Sequence, residues 1–403
     1  MQAVGLTPAD DRTSDAVASA LAPAEYGYYF VLVYTVLGAR LGLILMGDIG
    51  SGFLLVPILA LCVIALGPSI LPICRIVWLP LSCGISYLFI QLTFHGEFLS
   101  AQYVYEFGPW LFSLVILQTL TMYRPKFLHR FAWFTLFLGL AILPFVTMTH
   151  GAGYERMKTV GGVGYGHPNT VAAWFGFCVV YMTIKGYVER VPSYRLAAWF
   201  AAVGSLYVVT LSVSRAALIG VVISLVTISR RLLRVGILPL LLLAGLLWAL
   251  LELGVFDQAL HSYTKRGAEE TGRLRIWPLT IERFFNAPGI GVGASNAGMW
   301  VGDNYFSPHN GFLLIAVTSG IVPIVLFCGY CLRSGLAALR ANALDQDSIF
   351  YLPLASYAVL ITFSGNLDFM MPWAVVSLAV PLSASVTRTN EQGERTSLRP
   401  API

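Results

Sequence analysis

Residues 195–230 read RLAAWFAAVGSLYVVTLSVSRAALIGVVISLVTISR, and between Leu196 and Ser229 the only charge is Arg215. Two apolar stretches, 195–212 and 215–229, meet at Ser212-Val213-Ser214-Arg215 with no room for a loop between them. Such a run belongs in a bilayer, where one crossing takes about 20 mostly apolar residues. The rest of the chain has the same character. Of 403 residues, 57% are hydrophobic and 11% charged, and the mean hydropathy is +0.75. A soluble domain carries roughly 25% charged residues to face water. This composition excludes a disordered protein, a DNA-binding domain and an ordinary cytosolic enzyme. It predicts an all-α, polytopic integral membrane bundle.

Hydropathy predicts about twelve transmembrane helices, near 27–47, 52–68, 75–94, 107–122, 131–149, 169–186, 195–212, 215–229, 235–255, 310–332, 349–364 and 369–386. The chain then divides into a cytoplasmic tail (1–26), helices one to nine (27–255), a large periplasmic loop (256–309), helices ten to twelve (310–386) and a second cytoplasmic tail (387–403). The first tail holds Asp10, Asp11, Arg12, Asp15 and Glu25 and no apolar run, so it reads as a mobile segment and not as a cleavable signal peptide.

Lys and Arg are about twice as frequent on the side that holds the two tails, which orients both termini to the cytoplasm. The exceptions lie in three places: Arg156 and Lys158 in the 150–168 loop, Arg215 at the seven–eight turn, and Lys265, Arg266, Arg273, Arg275 and Arg283 in the long loop. Cations held against the topological bias point to an anion bound on the outer face; the alternative is contact with anionic membrane lipids. The net charge of +5 is thus read by placement, and no nucleic-acid partner is expected.

Three segments carry chemistry. Arg215 opens a helix, where a guanidinium beside free backbone N–H groups makes a phosphate site; the competing reading is a snorkelling arginine. Gly272-Arg273-Leu274-Arg275-Ile276-Trp277 begins a stretch in which Leu274, Trp277, Ile281 and Phe284 recur every three or four residues, the pattern of an interfacial helix. It ends at Asn286-Ala287-Pro288-Gly289. Ser307-Pro308-His309-Asn310 stands at the mouth of helix ten, where an imidazole can take a proton from a sugar hydroxyl at neutral pH; the alternative is a histidine that only caps the helix. Gly166-His167-Pro168-Asn169 opens helix six, with Asn169 suited either to capping or to ligand contact. Asp368, alone in the last outer loop, could orient His309 or stay solvated.

Other patterns carry no chemistry. Gly289-Ile290-Gly291-Val292-Gly293 opens no βαβ unit and is not a nucleotide loop. Cys328-Gly329-Tyr330-Cys331 lies inside an apolar helix and reads as packing. The six histidines form no metal-site pattern, so no metal and no cofactor is expected.

Taken in order, Ser214-Arg215-Ala216-Ala217, Gly272-Arg273 with Trp277, the run Asn286 to Gly293, and His309-Asn310 followed by Gly320 resemble the bacterial O-antigen ligase and O-antigen/exopolysaccharide polymerase family. Gly166-His167-Pro168-Asn169 adds a weaker match. The resemblance spans about 160–330. It implies transfer of glycan from an undecaprenyl-diphosphate carrier to an acceptor, with inversion and without metal. Arg215 and Arg273 would bind the diphosphate, and His309 would activate the acceptor hydroxyl. Arg275, Asn310, Arg156, Lys158, His167, Asn169 and Asp368 would line the substrate path. The acceptor is the lipid A core for a ligase, or a second lipid-linked glycan for a polymerase. One compact cluster describes one diphosphate site and favours the ligase, although the 150–168 cations could form a second. Other polysaccharide assembly proteins are candidate partners. The sequence departs from the family pattern after Gly320, where Pro323 stands in place of a second glycine and leaves the shape of helix ten open. Two other classes stay in view. A twelve-helix transporter or flippase of a lipid-linked glycan would show related halves, and a non-catalytic scaffold would not need His309.

Overall fold

The computed structural model describes residues 19–37, 48–67, 70–96, 102–124, 126–151, 154–159, 167–228, 252, 254, 257–266, 273–301, 304–306, 308–342, 347–364 and 371–383. Helices are α1 (Ala22–Leu37), α2 (Asp48–Ala65), α3 (Ile70–Ile76), α4 (Trp78–Phe94), α5 (Gln102–Tyr123) and α6 (Phe127–Ile142), then α7 (Pro168–Val188), α8 (Pro192–Leu211), α9 (Arg215–Val226), α10 (Asp257–Arg266) and α11 (Arg273–Asn286). They continue as α12 (Gly311–Ser319), α13 (Ile321–Asn342), α14 (Tyr351–Ser364) and α15 (Pro372–Ser383). Two short antiparallel hairpins interrupt this helical membrane architecture: β1 (Val146–Gly151) with β2 (Tyr154–Thr159), and β3 (Met299–Val301) with β4 (Asn304–Phe306). Among the described residues, four helices are long and apolar enough to cross a membrane: Phe127–Phe145, Pro168–Val188, Pro192–Leu211 and Ile321–Ala341. Five shorter apolar helices accompany them. The expected span at 235–255 lies outside the described residues except for 252 and 254.

The bundle is organised round α7, which is apolar on every side and buried almost throughout, as a helix surrounded by others must be. It packs against α6, α8, α9 and α14. Trp174 on α7 stacks on Trp373 of α15 at 4.8 Å between ring centroids, and its Nε1 donates to Thr135 O on α6 (2.8 Å). Where α7 turns into α8, Lys185 Nζ lies 2.7 Å from Glu189 Oε2. Hydrogen bonding from Lys185, helped by the Val191 and Arg190 N–H groups, draws the Glu189 carboxyl down to about 2.

Four sequence expectations change. Glu25 does not belong to a tail: it lies in the first turn of α1 and is 0% exposed. Its carboxylate accepts from Arg124 Nε (2.8 Å), Arg130 Nε (2.7 Å), Arg130 Nη2 (2.9 Å) and Tyr29 OH (3.0 Å). The guanidiniums compensate a charge that would otherwise be expelled. The helix expected at 131–149 stops at Ile142, passes through a 3-10 turn containing Pro144, and continues as β1. Proline ends the helix, and the Val146-Thr147-Met148-Thr149 run suits a strand.

The span expected at 75–94 is two helices broken at Val77. Pro80 has no N–H to offer the Ile76 carbonyl, and Arg333 Nη1 on α13 takes that acceptor at 2.7 Å. The fourth change matters most for function. Helix ten (310–332) is not one helix: it breaks at Gly320, where φ is +80°. A straight helix would separate Cα atoms of residues 312 and 327 by about 22 Å, yet the Phe312 and Phe327 ring centroids are 5.3 Å apart. The chain therefore folds back at Gly320. α13 alone, with 22 residues or about 33 Å, is long enough to cross, and Pro323 falls in its first turn, where a missing N–H costs little.

The break is satisfied by the segment after α11. Val292 N donates to Val317 O (2.8 Å), Gly293 N to Thr318 O (3.1 Å) and Ile321 N to Pro288 O (2.8 Å). These are the carbonyls and the amide that an interrupted membrane helix leaves open, and apolar surroundings require them to be paired. Two glycines permit the approach. A Cβ on Gly320 would strike Gly289 O, and one on Gly291 would strike the Thr318 carbonyl.

Candidate active site

The site is built at one end of a three-helix group, α7, α9 and α14, whose register Tyr357 sets. Its hydroxyl donates to Ala173 O on α7 at 2.7 Å. Its ring fills the space left by Gly176 and lies 3.4 Å from where a Gly220 Cβ would be on α9. Tyr181 further along α7 stacks on Phe350 at 5.0 Å, so α7 and α14 run antiparallel. Trp199 against Gly186 fixes α8 antiparallel to α7, which returns the chain to the Pro168 end before α9 begins. Arg215 precedes Gly220 by five residues, about 7.5 Å, and Phe363 follows Tyr357 by six, about 9 Å. Both therefore stand at the end of the group that carries His167.

At this end the α8–α9 turn is tightly held. Ser212, Val213 and Ser214 are buried, with Ser212 Oγ donating to Val209 O (2.6 Å). Val213 has φ +52°, an uncommon and strained conformation for a β-branched residue. The turn places Arg215 at the first position of α9. Ser214 makes no side-chain cap there, and the Nη2 of the Arg215 guanidinium is closed off from solvent.

Phe363 joins α11 and α12 to the same end. Its ring meets Trp277 edge-on at 5.6 Å and Phe312 at 6.2 Å. Trp277 Nε1 donates to Pro308 O at 2.9 Å. At their far ends Pro288 meets Ile321, so α11 and α12 run side by side in one direction, with both N-termini toward Phe363. His309, directly after the anchored Pro308 carbonyl, has φ +47°. Asn310 is 2% exposed, and its Oδ1 accepts from Phe312 N (3.0 Å) and Leu313 N (3.2 Å). Four helix N-termini, those of α7, α9, α11 and α12, thus gather at one end, each worth roughly half a positive charge.

Several candidate residues take a more specific place than sequence gave them. His167, not Asn169, caps α7: its Nδ1 accepts from Asn169 N (3.2 Å), which leaves the proton of the neutral ring on Nε2. Asn310 is the cap of α12, a holder of His309. Arg273 and Arg275 lie in the first turn of α11, with Arg273 one turn before Trp277. Arg156 and Lys158 lie in β2, in register opposite Thr149 and Thr147, and β2 packs against α10 and α7. Asp368 lies outside the described residues. On α11 the expected stripe shifts: Ile276 and Thr280 are buried, whereas Ile281 is exposed with Leu279 and Phe285, so the helix presents an apolar outer face. Arg283 Nη1 donates to Gly298 O (3.0 Å) and ties α11 to the chain before β3. Nothing in the sequence signalled Val213, Tyr357 or the second task of Trp277.

Residues 200–328, about a third of the chain, match the family model described as O-antigen ligase. This supports the O-antigen ligase/polymerase family, whose activity is glycosyl transfer, and the matched stretch runs from within α8 into α13. No curated protein matches the chain.

Proposed function

We propose that this protein, matched to the O-antigen ligase family over residues 200–328, is a periplasm-facing inverting glycosyltransferase of the bacterial inner membrane with both termini cytoplasmic. Its donor is a glycan on undecaprenyl diphosphate, and its acceptor is the lipid A core. The observation that carries this reading is the shared register of α7, α9 and α14 about Tyr357, with Phe363 adding α11 and α12. It brings Arg215, the first turn of α11 with Arg273, and His309 to one end, together with four positive helix ends.

The chemistry follows from that arrangement. The diphosphate lies against Arg215 and Arg273, with Arg275 beside it. An acceptor hydroxyl oxygen attacks the anomeric carbon from the face opposite the diphosphate and gives its proton to the His309 imidazole. The new C–O bond forms as the bond from carbon to phosphate oxygen breaks, and both bonding electrons leave with the diphosphate. Guanidinium groups and helix ends aimed at the oxygens that gain charge lower this barrier, in the role a divalent cation plays elsewhere. His167 and Asn310 hold helix starts round the site, and Asn169 follows His167 as a candidate for substrate contact. Arg156 and Lys158 on β2 would form a second anion site.

The test is transfer by the purified protein from a defined undecaprenyl-diphosphate glycan, offered each acceptor in turn, with and without EDTA. Transfer to lipid A core that survives EDTA is expected. Transfer only to a second lipid-linked glycan would make the protein a polymerase. Movement of the lipid-linked glycan across a liposome with no new glycosidic bond would make it a flippase.

A further inference from the structure

The C-terminal end of α4 contributes a buried group that no catalytic motif contains. Gln91, near the C-terminal end of α4, is 2% exposed. Its amide spans the junction of α11 and α12: Nε2 donates to Thr318 O (3.0 Å) and Oε1 accepts from Ala294 N (3.0 Å). These partners are 227 and 203 residues away in sequence. One turn further along α4, His95 Nε2 lies 3.0 Å from Ile290 O. Thr318 O also accepts from Gly293 N, so Gln91 completes the coordination of a carbonyl freed by the break at Gly320.

We infer that Gln91 is a positioning residue for transfer, setting the relation between α11 and α12 and thereby that between Arg273 and His309. The inference rests on the reading of those two residues proposed above. α12 is a nine-residue rod with His309 just before its N-terminus and the Gln91 contact near its C-terminus. α11 leads into the 287–294 segment, which Gln91 and His95 hold from the other side. A displacement at the junction is carried along both rods to their N-termini, where the reacting groups stand. Misplacement by about 1 Å in such a site costs on the order of a hundredfold in rate.

Chemistry at the amide gives a test that packing alone would not satisfy. Segment 287–294 and α12 contain no ionisable side chain; along α4 the ionisable neighbours in sequence are Tyr87, one turn before Gln91, and His95, one turn after it, with Glu97 following. In Gln91→Glu, an ionised carboxylate still accepts from Ala294 N but faces Thr318 O with no proton to donate. Once protonated, it restores both bonds. The experiment measures donor kcat and KM for the full-length protein, for Gln91→Leu and for Gln91→Glu across pH, with His309→Ala as reference and melting in detergent as a folding control. Gln91→Leu is expected to lose ten- to a hundredfold in kcat with donor KM within about twofold. Gln91→Glu is expected to regain activity relative to wild type as pH falls. Should Gln91→Leu not fold, the Gln91→Glu pH profile decides alone. If His309→Ala is inactive while Gln91→Leu keeps wild-type kcat, or while Gln91→Glu follows the wild-type pH profile, the inference fails and the catalytic reading stands. If His309→Ala is fully active, both fail.

Discussion

Trp277 and Gly320 show how single atoms locate the site. Trp277 combines a ring that packs on Phe363 with an N–H that holds Pro308 O. Trp277→Phe keeps most of the ring and loses the donor, so transfer should fall about tenfold with folding preserved, since one hydrogen bond contributes about 1 kcal/mol. Steady-state kinetics beside a thermal melt separates the two effects. Gly320 combines φ +80° with a backbone contact that admits no Cβ. Gly320→Ala should destabilise by at least about 2 kcal/mol. Gly335→Ala in α13, where a Cβ meets nothing within 4 Å, should be neutral or slightly stabilising; melting of both variants in detergent checks this. At this scale sequence singled out Arg215 and His309 as candidates by residue type and placement. It was silent for Gln91, Tyr357 and Glu25, because their partners lie 99 to 227 residues away. Glu25 looked like a tail residue only because Arg124 and Arg130 could not be seen beside it.

At the scale of elements, the α7–α14 contact is the joint on which the site depends. A Cβ on Gly176 would strike the Tyr357 hydroxyl, and that hydroxyl also holds Ala173 O. Gly176→Ala should therefore cost about 2 kcal/mol of stability and much of the activity. Tyr357→Phe alone should cost about 1 kcal/mol. Combined, the two should cost less than their sum, because removing the hydroxyl makes room for the methyl; a double-mutant cycle on melting free energies reads this coupling. Hydropathy found α7, α8, α9 and α14 to within a few residues, since long apolar runs are its strongest signal. It could not resolve α12 from α13. Both are apolar, and the break at Gly320 is paid for by hydrogen bonds from a segment some thirty residues earlier in the chain. The β1–β2 hairpin was hidden for the opposite reason: an apolar run containing Pro144 and β-branched residues has a helix-like mean hydropathy and strand-like local preferences.

In the molecule as a whole, α4, α7, α9 and α14 form a scaffold against which α11 and α12 are set, with Arg215 and the helix N-termini collected at one end. The order of the motifs in sequence carried the family resemblance that the match over residues 200–328 supports. It did not announce that Tyr357 and Phe363 bring them together, because helix register is a property of packing. The central claim is that Arg215 and His309 serve one reaction. It is tested most directly by single-turnover transfer from an undecaprenyl-diphosphate glycan, comparing wild type, His309→Ala and Arg215→Ala at equal folded concentration. The account predicts rapid transfer by wild type and a loss of at least about a thousandfold in each variant. Transfer at the wild-type rate by either variant would contradict it.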